Sequence, residues 1–231
     1  MTDHANALAR LARVVADRAS ERPLTWRLCE ACRQLLGADS AAITIENTSV
    51  TRMTVATTDD LAARVEDLQE VLGEGPGWDA FRTGVPVITV MGDQSDQRWP
   101  LFSDAVRDIA ASETLYAMPM RPSDTVLGVL TLLCWNRGSL SEELGTAQFL
   151  ADAVGAALLR DPLTHADFGE GGPWSKRAEI HQATGMVCAQ LKIDAEDALA
   201  LLKAHAYAHE LDLSGVARLV TERKLDFGVG E

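Results

Sequence analysis

"LQEVLGEGPGWDAFRTGVPVITV", residues 68–90, decides how this chain is read. Its first five residues finish a run of helical spacing, "DDLAARVEDLQEVL" (59–72), which Gly-Glu-Gly-Pro-Gly then halts. A short helix, "WDAFRTG", follows, and "PVITV" reads as a strand because β-branched residues crowd it. Helix, glycine turn, helix and strand in such close order imply a sheet with helices laid across it.

The flanking sequence extends that sheet. "SAAITIEN" (40–47) and "VTRMTVAT" (50–57) pair as a hairpin, while "TLYAMPMR" (114–121) and "VLGVLTLLCW" (126–135) are two more strands joined through "RPSD". "WPLFSDAVRDIAA" (99–111) is helical. A long helix, 141–160, opens with the cap pattern Ser139-x-Ser141-Glu142, and helices at 3–20 and 23–36 precede the sheet. The expected fold is α+β, a central antiparallel sheet flanked by helices. "DPLTHADFGEGGP" (161–173) has no periodicity and reads as a linker. An all-α region of three helices follows, at about 174–190, 194–209 and 213–224, with Asp194 placed to cap the second. The expected divisions are N-terminal helices 1–37, a sheet domain 38–160, the linker, and a three-helix bundle 174–231.

Composition narrows the function classes. The 231 residues carry a net charge of −13. Residues 1–173 hold 14 Lys/Arg against 25 Asp/Glu, a balance of −11, and residues 174–231 hold 7 against 9, a balance of −2. The C-terminal region is nearly neutral on an acidic body, so general attraction to polyanions is weak. No apolar run approaches the ~20 residues of a membrane span. The charged N-terminus has no signal-peptide core, and the expected location is the cytoplasm. Cys29, Cys32, Cys134 and Cys188 form no disulfide framework, and Cys29/Cys32 are expected to be buried structural thiols. Nothing marks a metal site or a cofactor. There is no nucleophile elbow and no phosphate-cradling loop, so no enzyme is expected.

With the opening stretch, "RWPLFSDAV" and "LYAMPMRPSDTVLGVLTLLCWNRGSLSEE" make residues 38–160 resemble a GAF domain, a small-molecule sensor module. That resemblance implies a ligand site between the sheet and the helices beside it, with Trp78, Phe81, Trp99, Phe102, Tyr116 and Met118 as lining candidates. The competing reading makes them ordinary core. One branch of the family has a cysteine after Gly-Glu-Gly-Pro; here Gly77 stands there, so a thiol-based signal is lost.

In "RAEIHQATGMVCAQL" (177–191), Ile180, Ala183, Val187 and Leu191 form a bulky face. Ala178, Gly185 and Ala189 lie nearly opposite, flanked by His181 and Gln182. A glycine in a helix costs about 1 kcal/mol relative to alanine. Its presence suggests a face kept thin for close approach. In the next helix Leu199, Leu202 and Ala206 form one stripe and Leu201, Ala204 and Ala208 another, which predicts a helix sandwiched between neighbours. The last helix buries Val216, Ala217 and Val220 and turns Ser214, Arg218 and Thr221 outward.

Ile180, Gln182, Ala183, Gly185 and Met186, then Ala198, Leu202 and Ala206, then Leu213, Val216 and Ala217 make this region resemble an ANTAR domain. ANTAR is an RNA-binding module of bacterial transcription antiterminators. The resemblance implies binding of paired stem-loops in nascent messenger RNA, which holds off the terminator hairpin. Many members carry lysine where Thr184 stands. The expected RNA contacts are Arg177, His181, Gln182, Gly185, Lys203, Arg218, Thr221, Arg223 and Lys224. A homodimer is expected through Leu144, Ala147, Ala151, Val154 and Leu158, with a similar stripe at Leu8, Leu11 and Val15; packing of both stripes on the sheet is the equal alternative. DNA binding and a protein-interaction module without nucleic acid are the competing function classes.

Overall fold

A computed structural model describes residues 2–17, 22–46, 52–93, 97–110, 112–123, 125–161 and 173–228. The chain forms two compact units, with the boundary after residue 164. Of the expected linker only Asp161 and Pro173 lie among the described residues.

The first unit contains α1 (Thr2–Asp17), α2 (Leu24–Leu36), β1 (Ser40–Glu46), β2 (Arg52–Thr57), α3 (Asp60–Leu72), α4 (Pro76–Thr83), β3 (Val87–Val90), α5 (Pro100–Ala105), β4 (Thr114–Met120), β5 (Gly128–Cys134) and α6 (Leu144–Arg160). The five strands form one antiparallel sheet in the order β2-β1-β5-β4-β3. The opening stretch behaves as its residues require. Gly73 ends α3 with φ 66°, Gly75 takes φ 135° ahead of α4, and Pro76 occupies the first turn, where its missing N–H costs nothing.

Alternation along the strands gives the sheet two faces. One carries Ala41, Ile43, Tyr116, Met118, Met120, Leu130 and Leu132, packed with residues of α1, α2 and α6 into the main core. Central strands β4 and β5 are buried along their whole length, so both faces are covered.

This packing settles the use of the α6 stripe. Ala147, Ala151, Val154 and Leu158 are buried in that core, as is Leu11 of α1. The heptad-like spacing therefore serves the chain's own sheet and is not a dimer seam. Only Leu144 and Leu8 of the two stripes stay exposed, and Leu159 beside them is exposed too. Helix α6 begins at Leu144 rather than at 141, without a side-chain cap. The Ser141 amide instead donates to the Leu36 carbonyl at 2.8 Å, tying this segment to the end of α2. The helix expected at 99–111 is shorter as well, ending at Ala105 and tightening into a 3₁₀ turn at Val106–Asp108.

The second unit is a trio, α7 (Pro173–Leu191), α8 (Ala195–Ala208) and α9 (Leu213–Thr221). Asp194 and Asp212 cap the latter two, accepting from the amides of Asp197 and Gly215 at 2.9 and 2.6 Å. Ile180, Ala183, Val187, Ala198, Leu202, Ala206, Leu213, Val216, Ala217 and Val220 form the core. Helix α9 stops at Thr221, short of 224, because Arg223 turns left-handed at φ 58°. The sandwich expected for α8 is absent among the described residues. Leu201, Ala204 and Ala208 are exposed, and only the Leu202 side of the helix is packed.

Candidate functional site

The second face of the first unit's sheet is polar where β1, β2 and β5 meet. Strand pairing sets Thr44 opposite Thr54 and Ala42 opposite Thr131, so Thr44, Thr54 and Thr131 share the face turned away from the main core. Glu66 and Gln69 reach it from α3, one turn apart. The Glu66 carboxylate, 2 % exposed, accepts from Thr44 Oγ1 at 2.9 Å, Thr131 Oγ1 at 2.6 Å and Gln69 Nε2 at 3.0 Å. Arg52 Nη2 stands 3.5 Å from Glu66 Oε2, and this arginine is 3 % exposed. Gln69 Oε1 accepts from the Gly77 amide at 2.7 Å.

Gly77 lies against this cluster. A Cβ there would sit 2.7 Å from Arg52 Nη2, 2.9 Å from Nη1 and 2.9 Å from Gln69 Oε1. The guanidinium thus holds the space into which a side chain at 77 would project. Trp78 lies beside it, its ring centroid 5.2 Å from the Arg52 guanidinium carbon, its indole N–H donating to the Gln69 carbonyl at 2.7 Å.

The six aromatic and methionine candidates are not brought together. Tyr116 and Met118 belong to the core with α2 and α6. Trp78 and Phe81 come from α4, and Trp99 and Phe102 from the start of α5, outside that core. Trp99 is buried and its indole N–H donates to Asp79 Oδ2 at 2.9 Å; the Phe102 amide donates to Glu74 Oε1 at 2.9 Å. The polar members Arg52, Glu66, Gln69 and Thr131 escaped sequence reading. Each is scattered in sequence, and none has a spacing that marks a site.

Cys29, Cys32 and Cys134 are buried free thiols. Burial pushes Cys32 up to about 12 and Cys134 up to about 11; Cys29 is also raised, by burial first and then by Cys32. Such thiols stay protonated at neutral pH and pack as small apolar groups. Among the described residues no group of three or more His, Cys, Asp or Glu could hold a metal ion.

In the second unit, α7 has two unlike sides. Ile180, Ala183, Thr184 and Val187 are buried; Gln182, Gly185 and Ala189 are exposed at i, i+3 and i+7 on the opposite side. Among the described residues, a Cβ on Gly185 would meet nothing within 4 Å beyond its own helix backbone. The side chains of Arg177, Ala178 and His181 lie outside the described residues. Thr184 turns inward, its hydroxyl donating to the Ile180 carbonyl at 2.7 Å.

Arg218 is exposed on α9. Three residues on, the Thr221 hydroxyl lies 3.1 Å from the Arg218 carbonyl and 3.4 Å from Glu179 Oε1 of α7. Glu179 is one turn before Gln182, so Thr221 of α9 lies beside the α7 edge that carries Glu179 and Gln182. Arg223 and Lys224 are exposed past the end of α9, with Lys224 Nζ 2.7 Å from Glu222 Oε2. Lys203 is half-buried on α8, and burial lowers its pKa below the usual lysine value. Lys192, not anticipated from the sequence, is exposed just past α7 at φ 57°.

Comparison with known proteins places both units. A GAF domain model matches residues 19–159, more than half of the chain, and an ANTAR domain model matches residues 175–220. The chain belongs to the GAF domain family, with an ANTAR domain behind the GAF domain. These are a sensor and a regulatory module. No curated protein matches. Solved structures similar to the chain include the GAF domain of a phosphoenolpyruvate-protein phosphotransferase from Coxiella burnetii, 15% identical over 71% of this chain and 98% of that one, TM-score 0.48. Another is the A. aeolicus nlh2 GAF domain, 16% identical over 67% of this chain and 97% of that one, TM-score 0.47. A third is free methionine-R-sulfoxide reductase from Neisseria meningitidis, 15% identical over 71% and 93%, TM-score 0.45. No helix among the described residues is long and apolar enough to cross a membrane.

Proposed function

We propose that this protein is an RNA-binding transcription antitermination regulator of the cytoplasm. Its GAF domain receives a signal, and its ANTAR domain binds paired stem-loops in nascent messenger RNA, preventing the terminator from forming. The observation that carries this reading is the open α7 face at Gly185, with Arg218 exposed on α9, the helix whose Thr221 touches Glu179 of α7. A helix with no side chain at its centre lets a loop backbone or base lie against the main chain, and an arginine at the rim supplies phosphate and base contacts. The reading assigns Gln182, Gly185, Arg218 and Arg223 to the contact, with Arg177, His181 and Lys224 as further cations or donors. Thr221 is spent on local acceptors and Lys203 is partly withdrawn, so both rank behind Arg218. No catalytic step belongs to this function.

Two copies presenting two ANTAR domains to two stem-loops form part of the proposal. Such a dimer uses outward residues such as Leu8, Leu144 and Leu159, because the α6 stripe is internal. Light scattering that finds only monomer at micromolar concentration removes it. The RNA reading is tested by gel shift with paired stem-loops, the same stems with altered loop bases, and duplex DNA. Selective binding to the first supports it. Binding only to DNA, or to none of the three, overturns it.

A further inference from the structure

The polar cluster beneath Gly77 has the make-up of a cation site. It offers a buried carboxylate (Glu66), an amide oxygen (Gln69 Oε1) and an indole face (Trp78), closed by a residue without a side chain. It sits between the sheet and the helices α3 and α4. The group inside it is planar and positively charged, and it comes from the chain itself. Arg52 is the first residue of the edge strand β2, and its guanidinium lies where a Cβ at 77 would collide with both terminal nitrogens. A planar cation suits this set: Nη2 meets Glu66 Oε2 at 3.5 Å and the Trp78 ring lies beside the guanidinium.

We propose that this place is a guanidinium-binding site whose resident ligand is Arg52, so that the GAF domain is self-liganded here. The chemical class it accepts is a small planar amidinium or guanidinium cation. Free molecules of that class are excluded from the native protein because Arg52 fills the site. Gly77 is the complementary feature: absence of a side chain there is what admits the guanidinium. The inference stands independently of RNA binding and is tested on stability alone.

The experiment is chemical rescue of Arg52→Ala, which removes the resident and leaves Glu66, Gln69 and Trp78 in place. Methylguanidinium at millimolar concentration is expected to raise the melting temperature of this variant by about 3–5 °C for each tenfold increase above half-saturation. Tetramethylammonium at equal concentration is expected to do nothing. Neither cation is expected to raise the melting temperature of the native protein, and Arg52→Ala/Glu66→Gln is expected to lose the rescue. Equal response to both cations, or rescue that survives Glu66→Gln, overturns the assignment. Stabilisation of the native protein by methylguanidinium overturns residency, because the site would then be open. Should Arg52→Ala fail to fold, Gly77→Ala is compared in the native background and in Arg52→Gln. The cost of the added methyl is expected to fall by at least half when the guanidinium is gone; an undiminished cost overturns the proposal.

Discussion

Gly77 and Gly185 are both helical glycines in segments that the sequence marked as special, and they face opposite circumstances. A Cβ at Gly77 would run into Arg52 and Gln69, while a Cβ at Gly185 would meet nothing within 4 Å among the described residues beyond its own helix backbone. The first glycine is retained by its own molecule. The second gives its molecule nothing, and in isolation it weakens the helix that carries it. The proposed RNA contact would account for a glycine that costs stability and relieves no crowding among the described residues. The GAF domain thus turns its special position inward, and the ANTAR domain turns its own outward.

Substitutions can break this contrast. Removing Glu66 has the largest expected effect. Glu66→Ala leaves Arg52 buried without its carboxylate, and loss of one partner from such a pair costs about 3–5 kcal/mol. Urea unfolding followed in the GAF domain measures it; a loss under about 1 kcal/mol would show that the cluster contributes little to the native state. Next is the pair of alanine replacements. Gly77→Ala is expected to destabilise by about 1–3 kcal/mol through overpacking, whereas Gly185→Ala is expected to stabilise by up to about 1 kcal/mol. Like signs in the two unfolding curves would erase the distinction.

Arg218→Ala is expected to leave the melting curve unchanged and to weaken stem-loop binding by about 1–3 kcal/mol if it reads a base. Unaltered affinity would turn α9 away from the RNA. Acid gives the smallest effect. His205 contacts His209 at 4.2 Å between ring centroids and meets the edge of Phe227 at 5.5 Å. Its pKa is lowered from 6.5 by burial first and then by His209. The unfolded chain therefore takes up the proton at higher pH than the folded one, and stability present at neutral pH declines as pH falls below 6.5. Thermal melts from neutral pH down to about 5 should show a decline that His205→Phe reduces.

Periodicity was a sound guide wherever one face of an element is buried. It placed the five strands, the capped start of α8 and the split of α7 into a packed and an open side. It was a poor guide to which partner covers a face. The α6 stripe fits a second helix or a sheet equally well, and only the sheet's Tyr116, Met118 and Met120 show which one it meets. The second apolar stripe of α8 misled in the other direction, because alanines at 204 and 208 expose too little apolar area to demand cover. The buried cluster was illegible for a different reason. Thr44, Arg52, Glu66, Gln69 and Thr131 come from four elements, and strand register rather than spacing brings them together. The family resemblance pointed to the region between the sheet and its helices and marked Gly77 as a departure, yet it could not say that the guanidinium of an arginine 25 positions earlier lies against that glycine.

Gln69 links the glycine-rich turn to the buried carboxylate through its side-chain amide. Its amide oxygen accepts a hydrogen bond from the N–H of Gly77, and its amide nitrogen donates one to Glu66. An amide has unlike ends, so it cannot be reversed without facing donor to donor and acceptor to acceptor. Displacement of the glycine-rich turn therefore pulls on the carboxylate through this amide. Leucine at 69 would cut that linkage while leaving the helix intact.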